Sequence, residues 1–139
     1  MPDCSVALEE FLSDWKQDPL CAKQAFVAYR DILTGLDGVD FDFKARPGIS
    51  YSLRAHHAAQ KERNLFVLVD VVDDEPENRW LSVCFYADMV KDPDDVADFV
   101  PEGLMGSDAL CFNLDEADEK MRAYIADRLV EAAEAAAKA

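Results

Sequence analysis

The apolar positions of this chain change period, and the change divides it into elements. Leu8, Phe11, Leu12 and Trp15 recur at i, i+3, i+4 and i+7, one stripe that predicts a helix over about 5–17. Asp18-Pro19 reads as a cap followed by proline at the first helical position. A second helix is therefore expected over 19–35, with the stripe Ala22, Ala25, Phe26, Tyr29, Ile32 and Leu33. From Val39 the period falls to two. Val39, Phe41 and Phe43 alternate with Asp40, Asp42 and Lys44, as in a half-buried strand. Arg46-Pro47-Gly48 is a turn signal, after which Ile49, Tyr51, Leu53 and Ala55 alternate with Ser50, Ser52, Arg54 and His56. Further strands are predicted at 65–72, apolar on both faces and so central, at 79–87 and at 109–114. A short helical turn is expected over 92–99 and irregular chain over 101–107. Asp115 is expected to cap a last helix over 116–138, with the stripe Met121, Tyr124, Ile125, Leu129 and Val130.

The resulting order is α-α-β-β-β-β-(short α)-β-α. It predicts an α+β fold: a mostly antiparallel five-stranded meander, with two N-terminal helices and a long C-terminal helix packed on one face. No linker or repeat divides the 139 residues, so one domain over 1–139 is expected.

The period-2 rule assigns every strand residue to a face. If Val39, Phe41, Phe43, Ile49, Tyr51, Leu53, Leu81, Val83, Phe85, Leu110, Phe112 and Leu114 meet the helices, the other face is mixed. It carries Asp40, Asp42, Lys44, Ser50, Ser52, Arg54 and His56, and also Trp80, Ser82, Cys84, Tyr86, Cys111 and Asn113. Trp80, Cys84, Tyr86 and Cys111 would form an apolar cluster there. Such a cluster is either a homodimer interface, a small-molecule pocket, or a patch covered by the last helix or by the segment 101–107.

Charge adds a second feature. Lys and Arg total 14 against 29 Asp and Glu, a net charge of −15, which disfavours binding to a phosphate backbone. No nucleic-acid role is expected. The stretch 44–63 reverses the sign: Lys44, Arg46, Arg54, Lys61 and Arg63 face one acid, Glu62, and both histidines lie within it. Guanidinium forks suit carboxylates and phosphates. Arg46, Arg54, Arg79, His56 and Tyr86 are therefore candidates for a small-anion or metabolite site. The competing reading is that these cations neutralise the acidic segments 73–77 and 92–98.

Other chemistry finds little support. The N-terminus lacks a basic and apolar leader, and no run approaches a bilayer span, so a cytoplasmic protein without membrane attachment is expected. In that compartment Cys4, Cys21, Cys84 and Cys111 are expected as reduced thiols. A nucleophilic thiol would require Cys84 or Cys111 to meet His56. The cysteine and histidine spacing resembles no zinc cage, and Asp92, Asp94, Asp95 and Asp98 lack the order of a calcium loop. No phosphate-binding or dinucleotide glycine motif is present, and no metal or cofactor is expected.

Two resemblances bear on the fold. The runs 38–43, 49–54 and 65–69, followed by 113–118 opening a helix that ends in Glu131-Ala132-Ala133, resemble the small bacterial domains grouped as DUF5655, whose function is unknown. The resemblance covers about 38–133, departs over 88–107, and implies an α+β fold. Size, acidity and the mixed sheet face are similar to those of type III secretion chaperones, which are cytosolic homodimers that bind an unfolded partner segment. The two leading helices depart from that pattern. The reading expected from the sequence is thus a non-enzymatic interaction module, homodimeric through the Trp80, Cys84 and Tyr86 face, with the anion site as the alternative.

Overall fold

Helix α1 (Cys4–Asp14) buries the stripe predicted for it: Leu8, Phe11, Leu12 and the following Trp15 are each at most 7 % exposed. The computed structural model describes residues 4–138. The reading of a missing leader at Met1–Asp3 lies outside the described residues, as does the side chain of Cys4. Helix α2 (Ala22–Thr34) begins three residues later than expected. Cys21 takes a left-handed conformation (φ 59°), and the Asp18 carboxylate accepts from the Lys23 amide, so 18–21 form a turn rather than helix. Helix α3 (Glu119–Ala137) is capped by Asp118, whose carboxylate accepts from the Met121 amide; the expected cap, Asp115, lies before it.

Between α2 and α3 lie six strands: β1 (Val39–Arg46), β2 (Ser50–His57), β3 (Val67–Val72), β4 (Trp80–Tyr86), β5 (Asp98–Leu104) and β6 (Ser107–Leu114). They form one antiparallel sheet in the order β1-β2-β3-β4-β6-β5. The fold is α+β, with one strand more than the sequence predicts. The additional strand is β5, where helical turn and irregular chain were expected. Met105 (φ 51°) and Gly106 (φ 83°) both hold positive φ between β5 and β6. Two consecutive positive-φ residues make the tight turn whose twist matches a hairpin, so the chain folds back and pairs. The short helix of the chain's middle instead occupies Pro76–Asn78, as a single 3₁₀ turn in the acidic loop.

All three helices lie on one face of the sheet. The core joins their buried stripes to Leu53, Val69, Val83 and Phe112, which sit in one register line across β2, β3, β4 and β6. Phe43 continues that line at the β1 edge, 5.7 Å from the Phe11 ring. Every strand residue assigned to the helix side faces it except Ile49, which lies in the β1–β2 turn and is 65 % exposed. No helix of the described residues is long and apolar enough to cross a membrane.

Candidate functional site

Among the described residues the opposite sheet face carries no helix, and three lines of its residues run across most of the strands. One line runs Asp42, Arg54, Leu68, Cys84, Cys111 and Asp98. A second runs Lys44, Ser52, Asp70, Ser82 and Asn113. The third runs Arg46, Ser50, Val72 and Trp80. Cations therefore gather at the β1–β2 end, small polar groups run through the middle, and Leu68, Val72 and Trp80 keep part of their apolar surface in solvent.

The apolar cluster expected here is only partly open. Tyr86 is buried, packed with Leu65, Leu104 and Ala109 in a small second core. Leu104, the last residue of β5, joins this core beside the turn into β6. The Arg63 guanidinium stacks 3.9 Å over the Tyr86 ring and makes two hydrogen bonds to Asp88, at 2.8 and 3.1 Å. Cys84 is buried, whereas Trp80 and Cys111 retain exposed area.

The expectation of reduced thiols is corrected at two positions. Cys84 and Cys111 are direct cross-strand partners in β4 and β6, with Cα atoms 4.1 Å apart, and they form a disulfide. Sequence spacing could not anticipate this, because the β5 hairpin brings together cysteines 27 residues apart. Neither sulfur is then a thiolate, so the thiol–His56 nucleophile has no free thiol at either position. Cys21 is a free, exposed thiol remote from both histidines in sequence.

The five candidate anion ligands do not converge. Arg79 lies on the helix side, its Nε donating to Asp73 at 2.6 Å, with its guanidinium 5.2 Å from the Phe11 ring centroid. Tyr86 is buried, as described. His56 places Nε2 2.8 Å from the Asp42 carboxylate, and its Nδ1 meets the Asn64 carbonyl. Only Arg46 and Arg54 remain, joined by Lys44, which the sequence reading had not placed among the ligands. Among the described residues none of these three forms a salt bridge. Arg54 Nε donates to the Ser52 hydroxyl, at 3.4 Å.

Asp70 lies among them. Burial pushes its carboxyl above the usual range, and the Ser52 hydroxyl, Arg54 and Arg46 offset that push only in part. Its Oδ1 is buried and accepts no hydrogen bond among the described residues. The alternation Val67, Val69, Val71 on the core side was the signal that could have placed Asp70 on the open face. A cavity of about 490 Å³ lies elsewhere, lined by Gln60, Arg63, Asp88 and Met89, and contains none of the sequence-predicted ligands. No group of three or more His, Cys, Asp or Glu among the described residues could hold a metal ion.

Comparison with known proteins returned no match: no family model, no curated protein and no solved structure is similar to this chain.

Proposed function

We propose that the protein is a non-enzymatic interaction module whose open sheet face docks an acidic segment of a partner protein. One observation carries this reading. In a chain of net charge −15, Lys44, Arg46 and Arg54 have no salt-bridge partner among the described residues, and they flank the part-exposed Leu68, Val72 and Trp80. Cations beside apolar surface suit a segment that offers carboxylates and one or two apolar anchors. Arg63, Arg79 and His56, by contrast, are each held by an internal carboxylate.

Titration of the isotope-labelled protein with a peptide of alternating Glu and Leu tests the reading. The amides of β2, β3 and β4 are expected to shift together, and Arg54→Glu to abolish the response. Shifts confined to the helices, or a response unchanged in Arg54→Glu, would remove the basis for this function. The small-anion alternative would rest on Arg46 and Arg54 without Arg79. Phosphate or acetate raising the melting temperature of the parent but not of Arg54→Glu would favour it over the peptide.

A further inference from the structure

We propose that the Cys84–Cys111 bridge is a thiol–disulfide exchange site, which a dithiol opens by attacking the sulfur of Cys111. The bridge lies on the sheet face that carries no helix among the described residues. Its two halves are not equivalent. Cys84 is buried, and its sulfur lies 3.6 Å from the Ser82 hydroxyl. A bridged sulfur has no proton to give, so the hydroxyl donates and Cys84 accepts. Cys111 keeps more of its surface in solvent. Its register partner on the outer side is Asp98 of β5, a strand exposed at every position except Leu104.

That asymmetry sets the direction of exchange. A thiolate attacks one sulfur of a disulfide while the other leaves with the electron pair. Here the first sulfur of the dithiol bonds to Cys111 Sγ, the Sγ–Sγ bond breaks, and the pair goes to Cys84 Sγ. Ser82 already donates to that sulfur, and its hydrogen bond strengthens as negative charge builds there. The Asp98 carboxylate opposes negative charge on the Cys111 side, which favours the same direction. The second thiolate of the dithiol then attacks the dithiol's own first sulfur, and the Cys111 sulfur leaves. The two protons given up by the dithiol pass through water to Cys84 and Cys111. Two electrons move in all: the dithiol is oxidised to a disulfide, and the bridge is reduced to two thiols.

The sheet is built to stay paired when the bridge opens. The Cα separation of 4.1 Å places Cys84 and Cys111 at a non-hydrogen-bonded position, where opposed side chains come closest. The Ala87 amide donates to the Asp108 carbonyl at 2.9 Å, in phase with that alternation. Backbone hydrogen bonds between β4 and β6 therefore fall at the flanking pairs, Val83 with Phe112 and Phe85 with Leu110, whose side chains belong to the core. The two freed thiols remain opposed and can close again. The bridge restrains the unfolded chain more than it holds this ladder, so opening lowers stability without undoing the sheet. One dithiol is consumed per bridge, and the exchange does not depend on what the basic end of the face docks.

Exchange on the folded, oxidised full chain tests the proposal. Dithiothreitol is expected to open the bridge without urea, at a rate that low urea leaves unchanged, and the circular dichroism of the parent is expected to persist. Opening that accelerates with urea in step with global unfolding would overturn the proposal. Cysteamine, a single thiol, is expected to form its mixed disulfide at Cys111, read by peptide mass after an acid quench. A mixed disulfide at Cys84, or an equal split between the two, would overturn it. Ser82→Ala is expected to slow opening about tenfold, and Ser82→Thr, which keeps the hydroxyl, to restore the rate. Opening at the parent rate in Ser82→Ala would overturn the assignment of Cys84 as the leaving sulfur. Alkylation of both Cys84 and Cys111 in the native chain without reductant would show that no bridge is there to exchange, and would overturn the proposal as well.

Discussion

Arg79 and Asp73 form an ion pair at the floor of the helix side, with Nε 2.6 Å from Oδ1 and the Asp73 side chain 3 % exposed. The second oxygen of Asp73 accepts from the Gly48 amide at 2.8 Å, so one carboxylate ties the β1–β2 turn to the start of β4. The aromatic rings of Phe11, Trp15 and Tyr51 surround the guanidinium. Removing one partner leaves the other charge buried. Arg79→Ala is expected to cost about 3–5 kcal/mol. Urea unfolding would show this as a lower midpoint with an unchanged slope. A cost under about 1 kcal/mol would mean the pair behaves as a solvent-screened one.

The Cys84–Cys111 disulfide closes a loop of 27 residues of sequence separation, containing the whole of β5. Loop closure of that length restricts the unfolded chain by about 3–4 kcal/mol. Reduction by a dithiol is expected to lower the melting temperature, and Cys84→Ser/Cys111→Ser to reproduce the reduced value. Without reductant, alkylation of the native protein should modify Cys21 and spare both bridged cysteines. Equal labelling of all of them would show that the bridge does not form in solution.

Asp70 makes stability depend on pH in an unusual direction. Its folded-state carboxyl titrates above the ordinary value because burial disfavours the charge. Between those two values the folded protein holds a proton that the unfolded chain has released. The contribution of Asp70 is therefore complete below the ordinary carboxylate value and is lost as pH rises through the raised one. Asp70→Asn is expected to melt above the parent at neutral pH, with the gap closing in acid. A parent that melts higher at neutral pH would refute this assignment.

Asp92 has the opposite sign. Burial alone would raise its carboxyl, but hydrogen bonds from the Tyr124 hydroxyl at 2.6 Å and from the Ala97 and Val96 amides outweigh it and hold it below the usual range. That stability is present above the ordinary value and falls away as pH drops through the lowered one. Tyr124→Phe removes one donor to Asp92 and the acceptor of the Asp94 amide. It is expected to cost about 1 kcal/mol at neutral pH and less in acid, read by thermal melts across pH. A cost independent of pH would place the effect in ring packing instead.

Much of this architecture was legible in the order of residues. The i, i+3, i+4 stripe ending in Trp15 specifies α1, and the alternation of Phe41 and Phe43 with Asp40 and Asp42 specifies both β1 and its two faces. These are local periodicities, and local periodicity survives into the fold because each element must bury one side. β5 was hidden because Pro101 and Gly103 disfavour a strand, and its pairing follows from the turn at Met105-Gly106 rather than from its own composition.

The candidate site was less legible. Arg79 and Arg54 are the same residue type on neighbouring parts of the chain, yet one is spent on Asp73 beneath the helices and the other stands open beside Asp70. Cys84 was readable as an open-face residue but not as the partner of Cys111. Local pattern specifies every helix and strand except β5, and the face of each assigned strand residue except Ile49. Which cations find an internal carboxylate, which cysteines meet, and which part of the second sheet face stays in water are settled by long-range packing. Those outcomes depend on distances between residues far apart in the chain, and such distances are set by strand order and packing rather than by local pattern.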